Sequence, residues 1–164
     1  MSESDTKCCS SISLTFANLL LRLWVGLRLF MAGVDKFREG NGLGDAPNNV
    51  SFSMANYEAK TGRIAKLMAD NSFFPPKMCE MYARSIGYVL LAVGVWVVLG
   101  LFTELGLLVA GFTVLSLGLG LAALPDDAEV VYIGVHVLII AAALATCKNK
   151  QISLDGLLFR RKSE

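Results

Sequence analysis

The chain has 164 residues, 54% of them hydrophobic and 18% charged, with a mean hydropathy of +0.55 and a net charge of +1. Such a composition belongs to an integral membrane protein, read here as one domain over 1–164, and the lack of a basic run excludes a nucleic-acid surface. Cys8, Cys9, Cys79 and Cys147 form no C-x-x-C pair, and with a single histidine beside them they encode no metal site.

Residues 1–13 are polar and serine-rich and are expected to form a mobile tail with no cleavable signal peptide. The first apolar run, 14–34, covers roughly 31 Å as a helix, close to the thickness of a hydrocarbon core. Asn18, Arg22 and Arg28 interrupt it. A central arginine costs about 2.5 to 3.5 kcal/mol to insert, so each needs protein groups, cavity water or an anionic headgroup. On a helical wheel Arg22 shares a stripe with Gly26, Gly33 and Lys36, which directs it toward a neighbouring helix. Arg28 falls about 120° away in line with Asp35, with Trp24 one turn earlier, and is expected to snorkel toward that carboxylate. The plainer reading is that both arginines snorkel and do no chemistry.

The following VDKFREGNGLGDAPNNV is rich in glycine, asparagine and proline and predicts a loop, part of an extended connection over 40–74. Within it, from Ser53 to about Asp70, Met54, Tyr57, Ile64, Leu67 and Met68 recur near helical spacing, so a short amphipathic helix is expected on the membrane surface. Pro75 and Pro76 open a second long helix, whose span is expected over 84–102. Thr103 and Glu104 mark a break. A third span is predicted over 105–124, ended by Pro125, Asp126 and Asp127, and a fourth over 130–147, followed by the basic tail KNKQISLDGLLFRRKSE.

Small residues recur seven apart on all four helices: Gly26 and Gly33, Gly87 and Gly94, Gly111 and Gly118, then Gly134 and Ala141. That step keeps a seam on one face and predicts close antiparallel packing. The expected fold class is all-α, an integral membrane four-helix bundle with an amphipathic surface helix in the first loop. Five cations after Cys147 against the acidic turn at Asp126, Asp127 and Glu129 place both termini in the cytoplasm. Six cations between Asp35 and Glu80, offset by six acids, pull the other way.

LLRLWVGLRLFMAGVDKF resembles the opening helix of DoxX-type membrane proteins, GVWVVLGLFTELG their second helix and following turn, and QISLDGLL their close. The resemblance implies an inner-membrane, four-helix protein, in some members a subunit of thiosulfate:quinone oxidoreductase and in others a membrane partner in redox or thiol-stress complexes. Its matching positions are Arg22, Gly26, Gly33, Asp35, Lys36 and Asp155. Many members carry a glutamate four residues before the second-helix glycine, where this chain has Leu90 before Gly94, so a proton-handling carboxylate is missing.

The implied role is a bacterial inner-membrane subunit that anchors, or supplies a quinone contact for, a redox complex, with at most an accessory part in catalysis. No intrinsic cofactor is expected, and quinone is the ligand implied. The expected partners are the lipid bilayer, a redox subunit that holds the electron carrier, and further copies of the chain. His136, the single histidine, would then be a proton carrier or hydrogen-bond a quinone carbonyl, with a core histidine satisfied by its neighbours as the plainer reading. Arg22 and His136 would hold the two ends of the headgroup, Asp35 and Lys36 would fix the outer end of the first helix, and Arg28 is a further candidate contact. A reading of another class is a non-enzymatic lipid- or cargo-binding or structural membrane protein.

Overall fold

The computed structural model describes residues 3–38, 52–72, 74–122 and 127–147. These are nearly all helical: α1 (Glu3–Asp35), α2 (Met54–Asn71), α3 (Pro76–Leu99), α4 (Thr103–Ala122) and α5 (Asp127–Ala145). Three stretches are long and apolar enough to cross a membrane, Ser13–Asp35, Pro76–Leu99 and Thr103–Gly120, while the apolar stretch of α5, Val131–Ala145, is shorter. An isolated antiparallel bridge between Arg38 and Phe52, with the Ser53 amide donating to the Phe37 carbonyl at 3.2 Å, brings the end of α1 to the start of α2.

Two boundaries differ from the sequence expectation. The segment read as a mobile tail is helical from Glu3, because no glycine or proline stands before Gly26 to stop a helix that the apolar span has nucleated. The second span ends at Leu99 and not at Phe102. Gly100 takes the left-handed conformation, φ 69° and ψ 34°, and its amide donates to the Trp96 carbonyl at 3.0 Å, a helix cap that suits glycine. Thr103 donates its hydroxyl to the Gly100 carbonyl at 3.1 Å and starts α4. The glycine-rich part of the first connection, the Pro125–Asp126 stop and the tail with Asp155 lie outside the described residues.

α1 packs against α3 and α5, α3 against α4, α4 against α5, and α2 lies on α3. One apolar cluster joins the four longer-range partners, with Val25 and Leu29 from α1, Leu90 and Val93 from α3, Leu107 and Val114 from α4, and Ile140 from α5. The α1–α3 contact is backbone against backbone. A Cβ added to Gly94 would lie 2.6 Å from the Phe30 amide nitrogen, and one added to Gly26 would lie 3.1 Å from the Gly94 carbonyl oxygen. At Gly33 it would lie 3.0 Å from the Leu91 amide nitrogen. Where lipid removes the hydrophobic drive between helices, such close approach supplies the van der Waals contact that holds them.

The same seven-residue spacing serves other purposes elsewhere. Gly87 accommodates the Tyr57 ring of α2, whose Cε2 would be 2.5 Å from an added Cβ. Gly111 and Gly118 face the Ile140 and Ile133 side chains at 3.5 and 3.2 Å, and Gly134 has no such neighbour within 4 Å. The α1–α5 contact is polar at its other end, where the Asn18 amide donates to the Ala143 carbonyl at 2.7 Å and to Thr146 Oγ1 at 3.1 Å. Asn18→Ala should therefore lower stability by about 1 to 2 kcal/mol, since it removes the buried hydrogen bonds that tie α1 to α5, although the Ala143 carbonyl still accepts from the Thr146 hydroxyl at 3.0 Å. Thermal unfolding in mild detergent reads this, with the exposed Asn71→Ala, bonded only within its own helix, as the control.

α2 starts where the Ser53 hydroxyl accepts from the Asn56 amide at 3.2 Å. Its buried face is Tyr57, Thr61, Ala65 and Met68, whereas Met54 and Leu67, expected on the same stripe, are exposed. Small side chains at 61 and 65 let the helix lie close to α3. Tyr57 stacks on Phe37 at 4.4 Å between centroids, meets Tyr88 at 5.1 Å and donates its hydroxyl to the Arg84 carbonyl. Lys60 reaches the last carbonyl of α1, on Asp35, at 2.8 Å, a cation at the negative end of a helix.

Burial, with the nearby Tyr88 as a lesser cause, pushes the Tyr57 phenol above its usual pKa. A phenol whose pKa is raised by folding stabilises the folded state below its unfolded value, about pH 10, and loses that contribution as pH rises through the folded value. Thermal stability should thus fall above about pH 10, and Tyr57→Phe should flatten that part of the profile. An unchanged alkaline slope in Tyr57→Phe would count against Tyr57 as its source.

Candidate functional site

Toward the α2 end of the protein, α1 and α5 are separated by a cavity of about 590 Å³. Its walls carry Arg28, Ala32, Asp35 and Lys36 from α1 and Tyr132 and His136 from α5. Residues 28, 32 and 35, like 132 and 136, are one turn apart, so each set lies on one helix face. Leu90 of α3, 1% exposed, and Leu117 of α4 line the cavity behind them. The size suits a small ring compound, and the lining joins an apolar wall to a few polar groups.

The polar groups have an ordered chemistry. His136 Nδ1 lies 2.8 Å from the Tyr132 carbonyl oxygen. A carbonyl only accepts, so Nδ1 carries the proton, and in the neutral ring Nε2 presents a lone pair. That Nε2 is buried and has no hydrogen-bond partner among the described residues. The Arg28 guanidinium, a donor only, faces the same cavity and makes no ion pair or hydrogen bond among the described residues. Arg28 and Asp35 therefore share the cavity without the ion pair expected from their alignment.

Arg22 stands elsewhere. It is 4% exposed and does not line this cavity. Its guanidinium covers Gly100, where an added Cβ would lie 2.6 Å from Nη1 and 2.8 Å from Cζ. That places a buried cation at the C-terminus of α3, where the helix dipole favours it. The Arg22–His136 pair anticipated from sequence is thus replaced, in this cavity, by Arg28 and His136, with Asp35 and Lys36 beside them. Two participants carried no sequence signal of their own: Tyr132, whose carbonyl sets the histidine tautomer, and Leu117. Leu90, the position where the resemblance anticipates a glutamate, forms part of the same lining.

The other features are less equipped. A smaller cavity of about 190 Å³ between α2, α3 and α4 is lined by Met68, Phe74, Met78, Cys79 and Tyr82, the last bonded to Ser116 at 3.2 Å. Trp24 is exposed, and the Trp96 indole donates to the Leu101 carbonyl at 2.6 Å in the α3–α4 turn. No group of three or more metal-ligating side chains occurs among the described residues.

The family described as TQO small subunit DoxD matches the chain over residues 16–164. No curated protein and no solved structure matches it.

Proposed function

The chain belongs to the DoxD family, and from that premise we propose that it is a membrane subunit of a quinone-linked oxidoreductase complex, one that contributes a quinone contact. Three membrane-length apolar stretches support its place in a bilayer. In this reading α1, α3, α4 and α5 cross the inner membrane as a bundle, α2 lies at the surface with Met54 and Leu67 toward lipid, and both termini are cytoplasmic.

The observation that carries the proposal is one cavity of ring-compound size that joins an apolar wall of Leu90, Leu117 and Ile133 to the Arg28 guanidinium and His136. Arg28 donates to one oxygen of a quinone headgroup, and Leu90, Leu117 and Ile133 pack against the ring. Electrons come from a cofactor of another subunit. The residues of this chain hold and orient the ring.

The test is binding of a short-chain benzoquinone to the detergent-purified protein, with folding checked by circular dichroism. Arg28→Gln should weaken binding about tenfold, the scale of one lost hydrogen bond from a charged donor, and Arg22→Lys should leave it unaltered. Unchanged binding in Arg28→Gln, or retention of phospholipid in place of quinone, would remove the proposal. Orientation is tested separately in a cysteine-free background. An impermeant thiol reagent applied to intact cells should modify Asp127→Cys and spare Ser163→Cys; the reverse pattern inverts the topology.

A further inference from the structure

We propose that the N-terminal half of α3 holds an anionic phospholipid in a groove on the outer face of the bundle. The groove shares no lining residue with the cavity between α1 and α5, so the inference does not depend on the quinone reading.

The groove, of about 680 Å³, runs along the helix. Lys77, Met81, Arg84 and Tyr88 follow one another at helical steps of four, three and four residues, which puts them on one stripe about 60° wide. Glu80 flanks the stripe on one side and Ser85 on the other. The opposite face of the helix, with Cys79, Ala83, Ile86 and Leu90, is buried in the protein. Tyr88 closes the inner end of the groove, where its hydroxyl donates to Met54 Sδ of α2 at 3.6 Å. Met81, between the two cations, is 69% exposed.

The sequence carries no charge from 85 to 102, so Arg84 is the last charged residue before the apolar part of a membrane-length helix. At that boundary, on a face turned to lipid, an arginine lays its stem along acyl chains and extends its guanidinium to the headgroups. Neither Arg84 nor Lys77 makes an ion pair or a side-chain hydrogen bond among the described residues. The planar fork of Arg84 matches a phosphate, and the exposed Met81 and Tyr88 surfaces suit the adjoining methylenes.

Lys77 selects the headgroup. It stands two turns outward of Arg84, about 10 Å of helix rise, on the side where a zwitterionic lipid carries its ammonium. A choline headgroup would set its cation against the Lys77 ammonium, whereas a glycerol headgroup sets hydroxyls there, which accept from it. Glu80 opposes both cations. Two cations against one acid leave the groove positive, the charge that complements a lipid with a net negative headgroup.

The experiment is native mass spectrometry of the full chain, delipidated in mild detergent and titrated with dioleoyl phosphatidylglycerol or dioleoyl phosphatidylcholine, which differ only in the headgroup. The phosphatidylglycerol adduct should form about fivefold more tightly, the scale of one cation at a membrane surface. Lys77→Gln should bring the two lipids within about twofold, and Arg84→Gln should weaken both about fivefold. Glu80→Gln should strengthen phosphatidylglycerol binding. Lys66→Gln, which removes an exposed cation of α2 outside the groove, is the control and should alter neither lipid. Equal retention of the two lipids by the unmodified protein overturns the inference and favours an acidic segment of a partner subunit as the occupant. A preference that survives Lys77→Gln, unchanged binding in Arg84→Gln, or an equal loss in Lys66→Gln overturns it as well. Should Arg84→Gln fail to fold, Lys77→Gln and Glu80→Gln decide the matter, because their expected effects have opposite signs.

Discussion

Replacing Gly94 with alanine should push α1 off α3 and lower the stability of the protein by about 3 kcal/mol, the upper part of the range for overpacking a tight contact. The added methyl would lie 2.6 Å from the Phe30 amide nitrogen, 2.9 Å from the Phe30 Cα and 2.9 Å from the Gly26 carbonyl oxygen. All three are backbone atoms, so no rotamer change relieves the clash and the helix axes must separate. Gly134→Ala is the matched comparison. Nothing stands within 4 Å of that site, so the methyl should be neutral, or stabilising by up to about 1 kcal/mol through helix propensity. Equal unfolding temperatures for the two variants in mild detergent would rule out a glycine-mediated α1–α3 seam.

Gly100→Ala should cost a similar amount for two separable reasons. The residue sits at φ 69°, where a side chain adds about 1 to 2 kcal/mol of left-handed strain. The methyl would also meet the Arg22 guanidinium at 2.6 Å. Unlike the Phe30 backbone, that guanidinium is the end of a flexible side chain, so the second part depends on whether Arg22 can move within its buried site. A double-mutant cycle with Arg22→Met separates them. In the methionine background the conformational strain should persist, and the remainder, about 1 kcal/mol or more, should vanish as a coupling energy. An identical cost in both backgrounds would mean that Arg22 does not restrict this cap.

These two sites clarify how the buried arginine and the cavity arginine divide their work. Arg22 and Arg28 are six residues apart on one helix and equally costly to insert, yet their environments differ. Arg22 is enclosed at the end of α3, a position that suits a cation without any ligand. Arg28 faces a cavity with no protein partner among the described residues, beside a histidine whose second nitrogen is likewise unbonded. A binding role therefore fits Arg28 better than Arg22. Arg22→Lys, which retains charge but not the planar fork, bears on the cap more than on the cavity.

Much of the architecture was determined by the sequence alone, because a bilayer reads local properties. A long apolar run is driven into a helix whatever its neighbours are, and the runs at Ser13–Asp35, Pro76–Leu99 and Thr103–Gly120 were legible for that reason. So was α2, through its periodicity. The faces of α1 carrying Arg22 and Arg28 could also be separated by counting residues. What no count could supply was which neighbour lies on each face. The glycine spacing on α1, α3, α4 and α5 is the same, yet Gly94 meets a backbone, Gly87 a tyrosine, Gly118 an isoleucine side chain and Gly134 open space. Arg22 and His136 stand apart for the same cause: Asn18 draws the C-terminal end of α5 onto α1, and the helices separate toward Arg28 and His136, leaving Arg22 behind the core at the α3 cap. Only tertiary packing decided that, because the contacts join residues more than a hundred positions apart in the chain, and helical periodicity carries no information over that distance.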